Sequence, residues 1–411
     1  MITYLQMRIT YPFVSVFLVS ILLLENLGVQ FGRDMSLLLI ILSAPLFFAG
    51  ILITKRKIVA PKNASIFFVI FLIMSFISSI FSVDIQASMR YSLYLIALFL
   101  VFLYSYNHRK LIEKPITILI FSTALFLSLY SLLLLTPFFS FLTPVNAYQF
   151  VFPRIYSHSH LADFLVLPTV ISIYCLYARR NIALAIGSIL FTVPFILFSF
   201  SSSAYFSLTI TSLAIHFYFL IKKHSSKYRI VARLLILGLV LSSVFYLLTV
   251  SRQAKNQPIL AKTHDLLVQN KGLNKYKDVL GYRFNYFNQA FLSIQQNFLI
   301  GIGPDNFSHA SKKYTENRLE SSMAAHNIFL EVLVGQGFLG FIPFLGLIIL
   351  FLIKSRKSAL YFAFLGALIN FQTDYTYQIY SFLLLFFVVA GLLATGKEIE
   401  LSIPFKRLKR G

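Results

Sequence analysis

The chain has 411 residues, of which 58% are apolar and only 12% charged, yet its formal net charge is +22. So apolar a composition lies far outside that of water-soluble domains and marks a polytopic membrane protein. The positive balance is spread over alternate short connections rather than gathered in one patch, which argues against a nucleic-acid partner.

A spanning helix needs about 20 mainly apolar residues, because backbone groups cannot be left unpaired in hydrocarbon. Twelve segments meet that need, at roughly 11–31, 36–54, 64–82, 90–107, 116–136, 161–178, 182–200, 204–221, 233–250, 326–353, 358–374 and 377–395. The expected fold is an all-α integral membrane protein of about 12 transmembrane helices. Residues 1–250 would carry helices 1–9, 251–325 a long loop, 326–395 helices 10–12, and 396–411 a basic tail. The first apolar stretch is too long for a signal-peptide core and lacks a small-residue cleavage pattern after it, so it reads as the first span. The lone Cys175 excludes an intrachain disulfide framework and a cysteine-rich metal site.

Basic clusters such as Lys55-Arg56-Lys57, Arg179-Arg180 and Lys354/Arg356/Lys357 fall in every second connection, whereas the short connections between them hold only Arg33, Arg90 and Arg154. By the positive-inside rule both termini are cytoplasmic, and loop 251–325 is extracytoplasmic. The clusters orient the helices and meet anionic membrane lipids.

Few polar groups occupy the outer ends of the spans, where they are costly and commonly serve chemistry. Before the sixth span stands Pro153-Arg154-Ile-Tyr-Ser-His158-Ser-His160-Leu161-Ala162-Asp163, with an arginine on the outer side against the general trend. In the long loop Phe284, Phe287, Phe291, Ile294 and Phe298 recur in steps of three and four, with Arg283, Asn288 and Gln289 among them. That is an amphipathic helix, whose simplest use is as a lid on the membrane surface. It ends at Gly301-Ile-Gly303-Pro304, a turn that stops the helix resuming. Guanidinium forks bind phosphate oxygens in pairs, so Arg154 and Arg283 suit a diphosphate, although any one loop arginine can equally meet lipid headgroups.

The tenth span opens with His326-Asn327. On a regular helix His326, Leu330, Leu333, Gly337 and Gly340 form one stripe about 40° either side of the histidine, and Glu331 lies about 140° away from it. The glycines would let another backbone pack close, while Gly335 has no role in this reading. A histidine at the aqueous edge can take a proton from a hydroxyl, or it can simply cap the helix. His158 and His160 would need further zinc ligands from His264, Asp265, Asp305 or His309, whose spacing matches no metal-site pattern.

These elements together resemble the O-antigen ligase and O-antigen polymerase superfamily of bacterial membrane glycosyltransferases. The resemblance lies in His326-Asn327 with Gly337 and Gly340, in Arg283 followed by Asn297-Phe-Leu-Ile-Gly301-Ile-Gly303 and Phe307, and in Arg154 ahead of Leu161-Ala162. These motifs cover about a third of the chain. Phe298 departs from the family's usual proline, and Ser201-Ser-Ser-Ala204 stands where many members have Ser-Arg. The resemblance implies a GT-C-like fold in the bacterial inner membrane and inverting glycosyl transfer without metal or cofactor on the extracytoplasmic face. The donor would be an undecaprenyl-diphosphate-linked glycan, and the acceptor a lipid core sugar or another glycan. His326 would be catalytic, Arg154 and Arg283 would bind the donor diphosphate, and Asn327 would hydrogen-bond the glycan or fix the imidazole. Gly301, Gly303, Gly337 and Gly340 would support the site. Ligase and polymerase remain alternatives, and a flippase for lipid-linked sugars is a third reading, disfavoured because Asp163, Glu331 and Glu25 lie singly or near span ends.

Overall fold

The structure, a computed structural model, describes residues 29–54, 58–134, 158–199, 201–222, 274–315 and 321–401. Numbered over these residues, the helices are α1 (Val29–Thr54), α2 (Lys62–Ile80), α3 (Ile85–Asn107), α4 (Arg109–Leu134), α5 (His158–Ala178), α6 (Ile182–Ser199) and α7 (Ser202–Ile221). They continue with α8 (Asn274–Gln296), α9 (Phe307–Lys313), α10 (Ile328–Lys354), α11 (Ala359–Asn370) and α12 (Tyr380–Leu393). Two short strands, β1 (Ile58–Pro61) and β2 (Glu398–Leu401), pair antiparallel with Ile58 opposite Leu401.

Among the described residues six helices are long and apolar enough to cross a membrane: α2, α3, α4, α5, α7 and α10. Apolar parts of α1, α6, α11 and α12 are shorter. The expected span at 233–250 lies outside the described residues, as does that at 11–31 apart from its last three positions, which begin α1. Arg33 and Arg90, expected in connections, stand within α1 and α3.

The bundle turns its apolar residues both ways. Inside, Phe68 packs against Phe99, Phe102 and Phe387, while Phe371 meets Phe382 and Phe386. Outside, Leu42, Ile73, Ile118 and Leu190 are exposed among the described residues, a surface suited to lipid contact. Because lipid is as apolar as leucine, helices in membranes adhere through close packing and hydroxyl bonds. Ser92 accordingly bonds Ser75 at 2.7 Å and Ser79 at 2.9 Å, and Thr169 bonds Thr192 at 2.6 Å. α5 is largely buried, packed against α6, α7 and α11.

α10 is not one continuous helix. Gly337 has φ 62° and ψ −169°, a conformation open essentially to glycine alone. The break frees the groups that would pair four residues apart, and the turn after α8 takes them up. Val334 and Gly335 offer their carbonyls to Ile302 N at 2.9 Å and Gly303 N at 2.8 Å, while Phe338 N and Leu339 N donate to the carbonyls of Phe298 at 2.8 Å and Leu299 at 3.2 Å. Non-helical backbone is tolerated at membrane depth where protein buries it, and Gly301, Ile302, Gly303 and Pro304 are all buried.

No side chain fits at this crossing. A β-carbon on Gly337 would lie 2.4 Å from Leu299 C, and one on Gly301 2.5 Å from Gly335 O. Gly335 thereby gains its role: its carbonyl also accepts from Ser78 Oγ at 2.6 Å, and a β-carbon there would sit 3.0 Å from Pro304 Cα. The close approach expected of Gly337 is present, but the stripe from His326 to Gly340 is not, because the helix begins after His326 and breaks before Gly340. Gly340 faces the Gln336 side chain of its own helix instead.

Candidate functional site

At the N-terminal end of α10 the capping role falls to Asn327. Its Oδ1 accepts from Phe329 N at 3.0 Å and Leu330 N at 3.1 Å, and its Nδ2 donates to Gln372 O at 3.2 Å. Its amide thus bonds helix and loop backbone, as a helix cap does.

His326 stands just outside the helix with φ 55°. For a residue with a β-carbon this left-handed conformation costs about 1–2 kcal/mol, and such strain clusters at functional sites. The buried carboxylate of Glu331 holds the preceding turn, accepting from Ala325 N at 2.8 Å, Tyr377 Oη at 2.9 Å and Gln378 Nε2 at 3.3 Å. Burial, with the charge of Glu331 beside it, pushes the Tyr377 hydroxyl well above its ordinary range and keeps it a neutral donor. Glu331 thus reaches the turn before His326 through the backbone of Ala325.

The imidazole is enclosed on three sides. Tyr286 of α8 stacks on it at 5.2 Å, and Tyr375 meets it edge-on at 4.6 Å. His326 Nδ1 faces Asp374 Oδ1 at 3.7 Å, an ion-pair separation, with the histidine side chain 15% exposed and the aspartate 4%. Burial works against the Asp374 charge, but the imidazole of His326 and the neighbouring basic groups of His160 and Arg283 outweigh it and hold the carboxyl below the usual carboxylate range. Tyr375 N fixes Asp374 Oδ1 at 2.7 Å, and Ser203 Oγ reaches Oδ2 at 3.3 Å.

A second carboxylate lies behind the first. Asp163 Oδ1 accepts from Ser203 Oγ at 2.9 Å and Ser201 Oγ at 3.3 Å, so one hydroxyl stands between two buried aspartates. The Ser201-Ser-Ser-Ala204 segment, which departs from the family's Ser-Arg, is here the polar floor under Asp374. His160 is buried with its ring edge-on to Tyr375 at 4.7 Å. His309 is exposed on α9, and the His158 side chain lies outside the described residues. Among the described residues no group of His, Cys, Asp or Glu converges as metal ligands.

α8 carries Arg283 and Tyr286 on the side that faces this cluster, one helical turn apart. Its inward face is polar and small, with Gln289, Ala290 and Ser293 buried and Gln289 Oε1 accepting from Ser311 Oγ at 2.7 Å. The aromatic face looks outward, with Phe284 68% exposed and Phe291 54%. That orientation is the one a helix takes when its apolar side rests in a membrane interface. Arg154 lies outside the described residues.

The structure therefore brings together His326, Arg283 and the loop after α11. It also adds Asp374, Tyr286 and Ser203, which carry no motif of their own. The one available sign of Asp374 was an acidic residue in a very short connection between two apolar segments.

No curated protein sequence matches the chain. Residues 187–345 match the family model described as O-Antigen ligase, a stretch that includes α8, the glycine turn, His326 and the break in α10. That match, confined to residues 187–345, supports the resemblance to the O-antigen ligase and polymerase superfamily.

Proposed function

We propose that the chain transfers a glycan from undecaprenyl diphosphate to an acceptor hydroxyl on the extracytoplasmic face of the bacterial inner membrane, as an O-antigen ligase-like enzyme. The observation that carries this reading is the strained, partly exposed His326 backed by Asp374 and approached by Arg283.

With Nδ1 turned to Asp374, the other ring nitrogen, Nε2, is the base. The acceptor oxygen attacks the anomeric carbon from the side opposite the diphosphate, so the configuration inverts. The carbon–oxygen bond to the diphosphate breaks and its electron pair leaves with the phosphate oxygen, while the hydroxyl proton passes to Nε2. Asp374 offsets the charge the imidazole gains, as a carboxylate behind a catalytic histidine does elsewhere. Arg283, with Arg154, neutralises the departing diphosphate. Tyr286 and Tyr375 hold the imidazole in plane, and α8 lies over the lipid with Phe284 and Phe291 in the interface.

In proteoliposomes supplied with lipid-linked donor and acceptor, His326→Ala is expected to lower transfer by about 10²–10⁴-fold with unchanged thermal unfolding. Full activity in that variant refutes the assignment. Offering a lipid core sugar in one arm and a second lipid-linked glycan in the other distinguishes ligase from polymerase. Movement of labelled lipid-linked sugar across the bilayer with no new glycosidic bond would replace both with a flippase.

A further inference from the structure

α2 starts and α10 ends at the pole of the bundle away from His326, where the β1–β2 pair ties the segment before α2 to the segment after α12. The basic loops assign this pole to the cytoplasm. Between the helix ends lies a cavity of about 370 Å³, within the roughly 300–1,000 Å³ of small-ligand sites.

Three lysines from separate segments line it: Lys62 in the first turn of α2, Lys354 in the last turn of α10, and Lys397 just before β2. The backbone holds them as a set, since Lys62 N donates to Lys397 O at 2.8 Å and Thr395 Oγ1 donates to Lys354 O. All three side chains are exposed to the cavity mouth, and among the described residues none pairs with a carboxylate. Of the acids on neighbouring segments, Glu398 accepts from Tyr106 Oη at 2.6 Å and Glu113 from Arg356 at 2.9 Å.

The cavity also contains an unmet polar group. Ser355 lines it, is 8% exposed, and has no hydrogen-bond partner for its hydroxyl among the described residues. A buried hydroxyl without a partner is costly, and an anion held by the lysines would supply the acceptor. Leu350 and Phe351 line the same cavity, and beside it Ile66, one turn from Lys62, and Ile353, next to Lys354, are exposed. Phosphate contact and apolar strip adjoin, as they do in a phospholipid.

We propose that this cavity binds a phosphate group, supplied by the headgroup of an anionic lipid in the leaflet away from His326. Clustered basic residues between helix ends at the cytoplasmic side are suited to such headgroups. The proposal does not rest on the glycosyl-transfer reading, and a binding measurement reads it without turnover.

The test is native mass spectrometry of the full chain released from detergent with phosphatidylglycerol, with phosphatidylcholine, or with inorganic phosphate alone. Phosphatidylglycerol is expected to be retained at least tenfold better than phosphatidylcholine. The Lys62→Gln/Lys354→Gln/Lys397→Gln variant should lose that preference, and the corresponding Lys→Arg variant should keep it, with thermal unfolding unchanged in both. Phosphate retained by wild type and not by the glutamine variant, without lipid retention, supports the site with a soluble ligand. Undiminished phosphatidylglycerol in the glutamine variant overturns the proposal. So does an equal loss in Lys110→Gln/Lys114→Gln, which would make the effect one of diffuse charge.

Discussion

Replacing Gly337 by alanine tests the broken helix at its centre. The new β-carbon would lie 2.4 Å from both Leu299 C and Leu299 O and 2.5 Å from Ile300 N. These are backbone atoms, so no rotamer change relieves the clash. The φ of 62° with ψ −169° adds about 1–3 kcal/mol for any residue with a β-carbon. If the 297–304 turn withdraws, the four backbone hydrogen bonds that bridge it to α10 are lost, at about 1 kcal/mol each. The combined cost is about 5–7 kcal/mol, comparable with the whole stability of many domains. The turn is continuous with α8, so its withdrawal also carries Arg283 and Tyr286 away from His326. The assay pairs thermal unfolding in detergent with glycosyl transfer in proteoliposomes. A large fall in both is expected, whereas Gly187→Ala, whose β-carbon would meet nothing within 4 Å, should change neither. Wild-type melting and transfer in Gly337→Ala would refute the account of the crossing.

Asp374→Asn should lower transfer by about 10²–10³-fold, and combined with His326→Ala it should add little, because the two act as one unit. Since the folded state holds the Asp374 carboxyl below its ordinary range, its contribution to stability is fully present above the unfolded value of about 3.9 and is lost as pH falls below that. The melting difference between wild type and Asp374→Asn should therefore be constant from pH 5 to 8 and shrink in stronger acid; a difference that grows on acidification counts against the pairing. Glu331→Gln exchanges a carboxylate that accepts from three donors for an amide that must turn its own donors toward some of them, and should cost about 1–3 kcal/mol with lower transfer. An unchanged melting temperature would show that this clamp holds nothing. The chain contains no tryptophan, so Phe291→Trp gives a single reporter, expected to be quenched by brominated lipid, whereas Phe307→Trp, at a buried position, should be shielded. The reverse pattern would put the aromatic face of α8 against the protein.

Much of the architecture was legible in one dimension because hydrocarbon imposes a one-dimensional rule. A spanning helix satisfies most of its own backbone, so apolar runs announce α2, α3, α5, α7 and α10 to within a few residues. The site was legible in part for the same reason, since a histidine, an asparagine and an arginine stand out where polar groups are rare. What each does was harder to read. The choice between cap and base at His326-Asn327 needed the backbone angles, which give the cap to Asn327 and leave His326 in the left-handed region.

The period of the phenylalanines in α8 established an amphipathic helix but could not say which face meets the protein, because an apolar stripe packs equally well on a core or in a lipid interface. Packing turned the polar face with Gln289 inward. The partner of the histidine was likewise a tertiary matter. Asp374 belongs to a connection between other helices, and no local spacing relates it to His326; only the docking of α11 beside α5 and α7, with the turn that follows it against the start of α10, brings Asp374, Ser203 and Asp163 together. The glycines divide in the same way. Their presence is written in the chain, but Gly335 and Gly337 acquire a reason only when the backbone of 298–303 lies against them, because a missing side chain matters only where something else occupies its space.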